Sequence, residues 1–209
     1  DRKEINEVII SGGDPLTLSD GLLGELLDRL RKIEHVEILR IATRMPAVLP
    51  QRITPALAEL LSRYQPLYFT THFNHPQELT PEAIEACTLL ADAGIPLANQ
   101  TVLLKGVNDD LDILADLCRQ LLRHRVRPYY LHQMDPVAGT GHFRVPLQQG
   151  VELIDGLRSR VSGLAVPHYI IDSPGGHGKV ELVAENVVAR NDENWTLRAP
   201  DGSTISVPA

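Results

Sequence analysis

Only two cysteines, Cys87 and Cys118, occur in the 209 residues, and both fall on segments of helical period with no CxxC spacing. That argues against a disulfide framework or a cysteine metal site and suits a reducing cytoplasm. No apolar run reaches the roughly 18 residues that a membrane-spanning helix needs, and no signal peptide is recognisable. Positive charge is short too: 20 Lys and Arg stand against 27 Asp and Glu, for a net charge of −7. General binding to nucleic acid or to a membrane surface is disfavoured on that balance. A starting methionine is also missing. The chain opens on "DRKEINEVIIS" and closes on "DGSTISVPA", which reads as part of a longer protein.

What is present is an ordinary globular composition, 43% hydrophobic and 22% charged, at a length that suits one domain with a small appendage. Strand, loop and helix repeat along it. Strand-type runs are "EVIIS" (7–11), "VEILRIAT" (36–43), "PLYFTTHF" (66–73), "IPLANQTVLL" (95–104), "RPYYLHQM" (127–134) and "HYIID" (168–172). Amphipathic helices lie between them, with Ser19, Thr54 and Thr80 as N-caps, prolines at the first helical position and Gly94 as a terminator. Right-handed crossovers of this kind make a parallel sheet, open or closed into a barrel. Residues 1–180 are therefore expected to form an α/β barrel-like domain. Residues 181–209 are expected to be an antiparallel β appendage with turns at Asn191-Asp192 and Asp201-Gly202.

In such folds chemistry collects where the parallel strands end. The residues found there, in order, are Gly12, Gly13 and Asp14; Thr43 and Arg44; His72, Asn74 and His75; Asn99 and Gln100; His132, Gln133 and Asp135; and Asp172 with Lys179. A strand-end Asp more commonly caps a turn, and a lone His more commonly packs. Six polar strand ends in succession point to a site on that face. Asp135 and Asp172 end neighbouring strands, where two carboxylates can face one cavity and suit an amine; each capping its own loop is the open alternative.

The segment "DSPGGHGKVEL" (172–182) is not a P-loop. That motif needs Ser or Thr after its lysine and Gly five residues before its second glycine, whereas Val180 and Ser173 stand there. Two readings stay open on local grounds, a plain glycine turn or a lysine held for Schiff-base chemistry.

Taken together, "SGGDPL", "RMPAVLPQRIT", "HFNHP", "NQTVLLKGVND", "YYLHQMDPVAGTGHFRVP" and "DSPGGHGKVEL" resemble the lysine 2,3-aminomutase family of radical S-adenosylmethionine (SAM) enzymes in order and spacing. The resemblance implies a partial (β/α)6 barrel and a [4Fe–4S] cluster that cleaves SAM to a 5′-deoxyadenosyl radical. It also implies pyridoxal 5′-phosphate (PLP), which carries the migrating amino group. Position by position, Gly12, Gly13 and Asp14 match the motif that meets the methionyl amino group of SAM. Lys179 matches the lysine that forms the internal aldimine with PLP. Asp135 and Asp172 match the pair that grips the side-chain ammonium of L-lysine, and His72 and Gln100 match pocket positions near the cofactors.

The family's CxxxCxxC cluster motif and its neighbouring substrate-carboxylate arginine are not in this sequence, so no metal ligand is assigned and the cluster ligands are expected outside it. Taken alone, the chain is expected to be inactive. The implied activity is a 2,3-amino shift on L-lysine to give β-lysine. An aminomutase for another amino acid, one serving elongation factor P, and a non-catalytic barrel fragment that keeps a PLP pocket are the alternatives. A homo-oligomer stays open.

Overall fold

The computed structural model describes residues 2–173 and 176–209. They form two compact units. One comprises the residues up to Asn99 with Gln120–Arg127, the other Gln100–Arg119 with Pro128–Ala209.

The first unit is built on parallel strands β1 (Glu7–Ile10), β2 (Ile38–Ala42), β3 (Leu67–Thr71) and the start of β4 (Leu97–Leu103), hydrogen-bonded in that order. Three helices connect them: α1 (Asp20–Arg31), α3 (Pro55–Ser62) and α4 (Pro81–Asp92), with a single-turn α2 (Met45–Val48) after β2. Each long helix starts where the sequence places it. The hydroxyls of Ser19, Thr54 and Thr80 accept from the backbone N–H of Leu22, Leu57 and Ala83, satisfying donors that helix geometry leaves unpaired. Gly94 ends α4 at φ +76°, a conformation that costs other residues a steric clash. Leu23, Leu27, Leu57, Leu61, Leu39, Ile41, Phe69, Leu90 and Cys87 are buried between helices and strands.

In the second unit the part of β5 (Val126–Gln133) from Pro128 on pairs in parallel with β6 (His168–Asp172), through helix α6 (Leu147–Arg160). Helix α5 (Leu111–Arg123) precedes β5 and buries Leu114, Leu117, Cys118 and Leu121, one helical stripe. Strand β7 (Lys179–Glu181) turns back antiparallel on β6, with Asp172 opposite Lys179. A separate three-stranded antiparallel sheet follows, β8 (Val187–Arg190), β9 (Asn194–Arg198) and β10 (Thr204–Pro208).

All six strand-type runs and the five long helices stand where the sequence patterns put them. The antiparallel C-terminal strands and their two turns are present as expected. One pairing differs from a simple reading: Lys179–Glu181 joins β6 and not the later strands. Its alternation, with Val180 buried between Lys179 and Glu181, suits the end of a sheet with one covered face.

Candidate functional site

In the first unit a chain of polar contacts links the ends of β1, β2 and β3. The Asp14 carboxylate accepts from Leu16 N at 3.0 Å, from Thr43 Oγ1 at 2.6 and 2.7 Å, and from Arg44 N at 2.7 Å. Arg44 reaches Glu78 at 3.6 Å. The other oxygen of Glu78 accepts from the backbone N–H groups of Asn74 and His75. Asn74 Oδ1 in turn meets His72 Nε2 at 2.9 Å. Gly12 and Gly13 sit exposed just before this network at φ +76° and +41°, and a Cβ at either would meet nothing within 4 Å. Their backbone therefore faces open space, where a ligand can come close.

In the second unit the cluster centres on Asp172. Its Oδ1 accepts from Lys179 Nζ at 2.5 Å, and its Oδ2 faces His132 Nδ1 at 3.1 Å. His132 Nε2 lies 3.2 Å from the side-chain amide of Gln100. Burial would by itself raise the Asp172 carboxyl, but the hydrogen bond and charge of Lys179, helped by His132, outweigh it and hold the group below its ordinary value. Burial first, and the Lys179 charge second, push the His132 imidazole below its ordinary value, against the carboxylates of Asp172 and Asp135. The two ring nitrogens thus face two oxygens, Asp172 Oδ2 and Gln100 Oε1, and a nitrogen that carries a proton donates it to the oxygen it faces.

Asp135 is exposed two residues beyond β5; its carbonyl accepts from Val137 N at 2.8 Å, and its carboxylate makes no hydrogen bond among the described residues. Its carboxylate and that of Asp172 both act on the same His132 ring. The Tyr130 ring lies beneath Lys179, whose Nζ is 5.7 Å from its centroid. A pocket of about 260 Å³ opens beside them, lined by Tyr129, Tyr130, His168, Ile170, Lys179 and Glu181.

Two strand-end candidates have other work. Asn99 is buried and holds Phe73, accepting from its N–H at 2.8 Å and donating to its carbonyl at 3.0 Å. Gln133 is buried between Val145 O, to which it donates, and the Tyr169 hydroxyl, from which it accepts at 2.6 Å. Each alternates with a neighbour in the Asp172 cluster, Gln100 and His132, so strand period turns it the other way. Cys87 and Cys118 are buried on their helices, and burial pushes each thiol up to about 12.

The family model for lysine-2,3-aminomutase matches residues 154–208. The L-lysine 2,3-aminomutase of Fusobacterium nucleatum is 49% identical over 95% of this chain, and that of Clostridium subterminale 47% identical over 98%. The chain belongs to the lysine 2,3-aminomutase family. It spans about half the length of these curated relatives, 47% and 50% respectively. The glutamate 2,3-aminomutase of Clostridioides difficile is also similar, at 42% identity over 99% of this chain and 49% of that protein. For the fold, a domain of pyruvate-formate lyase-activating enzyme from Bacteroides vulgatus matches with a TM-score of 0.56 at 15% identity, over 78% of this chain and 97% of that domain. The α/β partial-barrel class expected from sequence therefore holds.

Within this family frame, the eight site positions expected from sequence fall into two groups. Gly12, Gly13, Asp14 and His72 belong to the first unit; Gln100, Asp135, Asp172 and Lys179 belong to the second. Of the residues in these contacts, His132 stands among the strand-end candidates of the sequence without an assigned role, and Tyr130 and Glu78 are not among them. Tyr130 was findable, since residues two apart on a strand share a face. Glu78 gave no such signal: it acts through the short turn Pro76–Glu78, where its carboxylate closes a capping box.

Proposed function

We propose that the full-length protein is an isomerase that shifts the amino group of L-lysine from C2 to C3, using SAM, PLP and a [4Fe–4S] cluster whose ligands lie outside these residues. The observation that carries this reading is the Asp172–Lys179–His132 cluster beside the pocket: an amine held at 2.5 Å from a carboxylate, with aromatic rings around it.

The residues fit the groups the family uses. Lys179 is an exposed-edge primary amine at the mouth of a pocket with aromatic walls, which suits a flat aldehyde such as PLP. The open backbone at Gly12 and Gly13 suits the approach of the methionyl end of SAM. When bound, PLP supplies a π system for the migrating nitrogen, and SAM with the cluster supplies the radical that opens an otherwise closed route.

This chain's own side chains then orient and hold. Asp172 accepts the hydrogen bond of the Lys179 ammonium and keeps it in place. His132 fixes the carboxylate plane of Asp172 and ties it to Gln100. Asp172 and Asp135 bring two negative charges to the neighbourhood of His132, which favours the far ammonium of lysine over the carboxylate of glutamate. Asp14, through Thr43 and Arg44, holds the glycine loop against the end of β2. No helix among the described residues is long and apolar enough to cross a membrane; a cytoplasmic setting is part of the proposal, and a homo-oligomer is compatible with it.

The test is anaerobic reconstitution of the full-length protein with iron, sulfide, PLP and SAM, followed by product analysis with L-lysine and with L-glutamate. β-Lysine formation with little β-glutamate is expected. Preference for glutamate, or undiminished lysine turnover after Asp135→Asn with Asp172→Asn, would refute the paired grip.

A further inference from the structure

The loop that delivers Lys179 is anchored at a second point, away from Asp172. Within the hairpin, Ser173 N donates to Gly178 O at 3.0 Å and Ser173 Oγ to the same carbonyl at 2.5 Å. On the other side, His177 turns to the β9–β10 turn, where its Nδ1 meets Asp201 Oδ2 at 3.0 Å. Ser203 completes the contact: its hydroxyl donates to Asp201 Oδ1 at 2.6 Å and lies 3.3 Å from His177 Nδ1, and its N–H donates to Asp201 at 2.9 Å. Gly178 packs against the same turn, since a Cβ there would lie 3.8 Å from Pro200 Cγ.

This trio is not a nucleophilic triad. Ser203 and Asp201 approach the same ring nitrogen, and the hydroxyl is spent on the carboxylate, whereas an activated serine needs its base on the opposite nitrogen. The arrangement is a mechanical tie between a turn of the C-terminal sheet and the residue two positions before the reactive amine.

We propose that the β9–β10 turn, through Asp201 and Ser203, is a positioning clamp for Lys179, gripping His177 and thereby fixing the backbone that presents the amine to its cofactor. The inference rests on the reading of Lys179 as the PLP-binding lysine. Three contacts at exposed positions would not be needed to stabilise the fold. Their place beside two positive-φ glycines gives them another use, because Gly176 at φ +82° and Gly178 at φ +86° make the loop intrinsically permissive. The hydrogen bond from His177, then those from Ser203, hold the Asp201 carboxyl well below its ordinary value, so the acceptor stays charged across the physiological range.

The test uses the full-length protein and the variants Asp201→Asn and His177→Asn, with Asp201→Glu as the conservative rescue. Amide hydrogen exchange of the PLP-free protein is followed in peptides covering 176–182. PLP affinity is read from cofactor absorbance, and melting temperature is measured alongside. Expected is faster exchange confined to 176–182 in both Asn variants and roughly 2- to 5-fold weaker PLP binding, the factor an exposed ion pair is worth. Melting temperature and the KM for lysine stay unchanged, and the Glu variant returns toward the parent. Unaltered exchange in both Asn variants overturns the clamp. So does faster exchange spread over the whole chain with a lowered melting temperature, which marks a merely structural contact. If the parent takes up no PLP, the Lys179 reading fails while the exchange result still decides the clamp.

Discussion

Asp172 and Lys179 share one rung of the β6–β7 pairing, and the carboxylate meets the ammonium at 2.5 Å. They are seven positions apart in the chain, yet the antiparallel register makes them direct neighbours. Backbone hydrogen bonding thus does the first part of the positioning, and the ion pair the second. Cross-strand pairs of opposite charge are a recognised unit of sheet stabilisation.

Replacement of Lys179 tests the chemical assignment directly. The full-length protein with PLP is expected to show the absorbance of a cofactor joined to a lysine. Lys179→Ala is expected to abolish it without a change in melting temperature of more than a few degrees, since the side chain is exposed. An unaltered spectrum in the variant would remove Lys179 from its role.

Acid titration tests the Asp172 network. Its carboxyl is depressed in the folded state, so its stabilising contribution is present above the unfolded-state value of about 4 and is lost as pH falls through the folded value. Asp172→Asn removes that dependence. Urea midpoints of the full-length variant should therefore fall less steeply than those of the parent below about pH 4. Parallel curves would show that Lys179 and His132 do not hold the carboxylate charged.

Buried polar links give the largest stability effects. Asn99→Leu removes the two buried hydrogen bonds that the Asn99 side chain makes with the Phe73 N–H and carbonyl, at a cost of about 2–4 kcal/mol. Gly150→Ala drives a Cβ into the Tyr169 phenol, which is itself held by Gln133, and is expected to cost about 1–3 kcal/mol. At Gly156 a Cβ would meet the tip of Leu111 at 2.8 Å, a flexible neighbour that can turn away. Gly156→Ala should therefore cost less than Gly150→Ala in the same denaturation series.

Thiol labelling separates structural from reactive cysteines. Burial pushes Cys87 and Cys118 to about 12, so neither forms much thiolate at pH 8. Iodoacetamide should leave the peptides carrying these two residues unmodified in the folded full-length protein and modify both after denaturation. Mass spectrometry reads the result. Rapid labelling of either in the folded state would contradict its burial.

Much of this architecture was legible because its signals are local. Thr54-Pro55 and Thr80-Pro81 announce helix starts through capping chemistry, and "HYIID" coincides with β6 to the residue. The resemblance singles out both Asp172 and Lys179, and the structure pairs them on one rung. Facing direction was not legible. Asn99 and Gln133 have the same polar character as Gln100 and His132, and only the strand's alternation, fixed by register, sends one pair into the packing and the other toward the cluster. His177 carried no local sign of its partner, because Asp201 lies 24 residues away and reaches it through the folding of a separate sheet.

Because β7 runs back along β6, the loop between Ser173 and Gly178 is bracketed: its two ends are fastened to each other before Lys179 begins. The position of the amine is therefore set by strand pairing on either side of the loop, with the Asp172–Lys179 rung as the fixed point from which the rest of the loop departs.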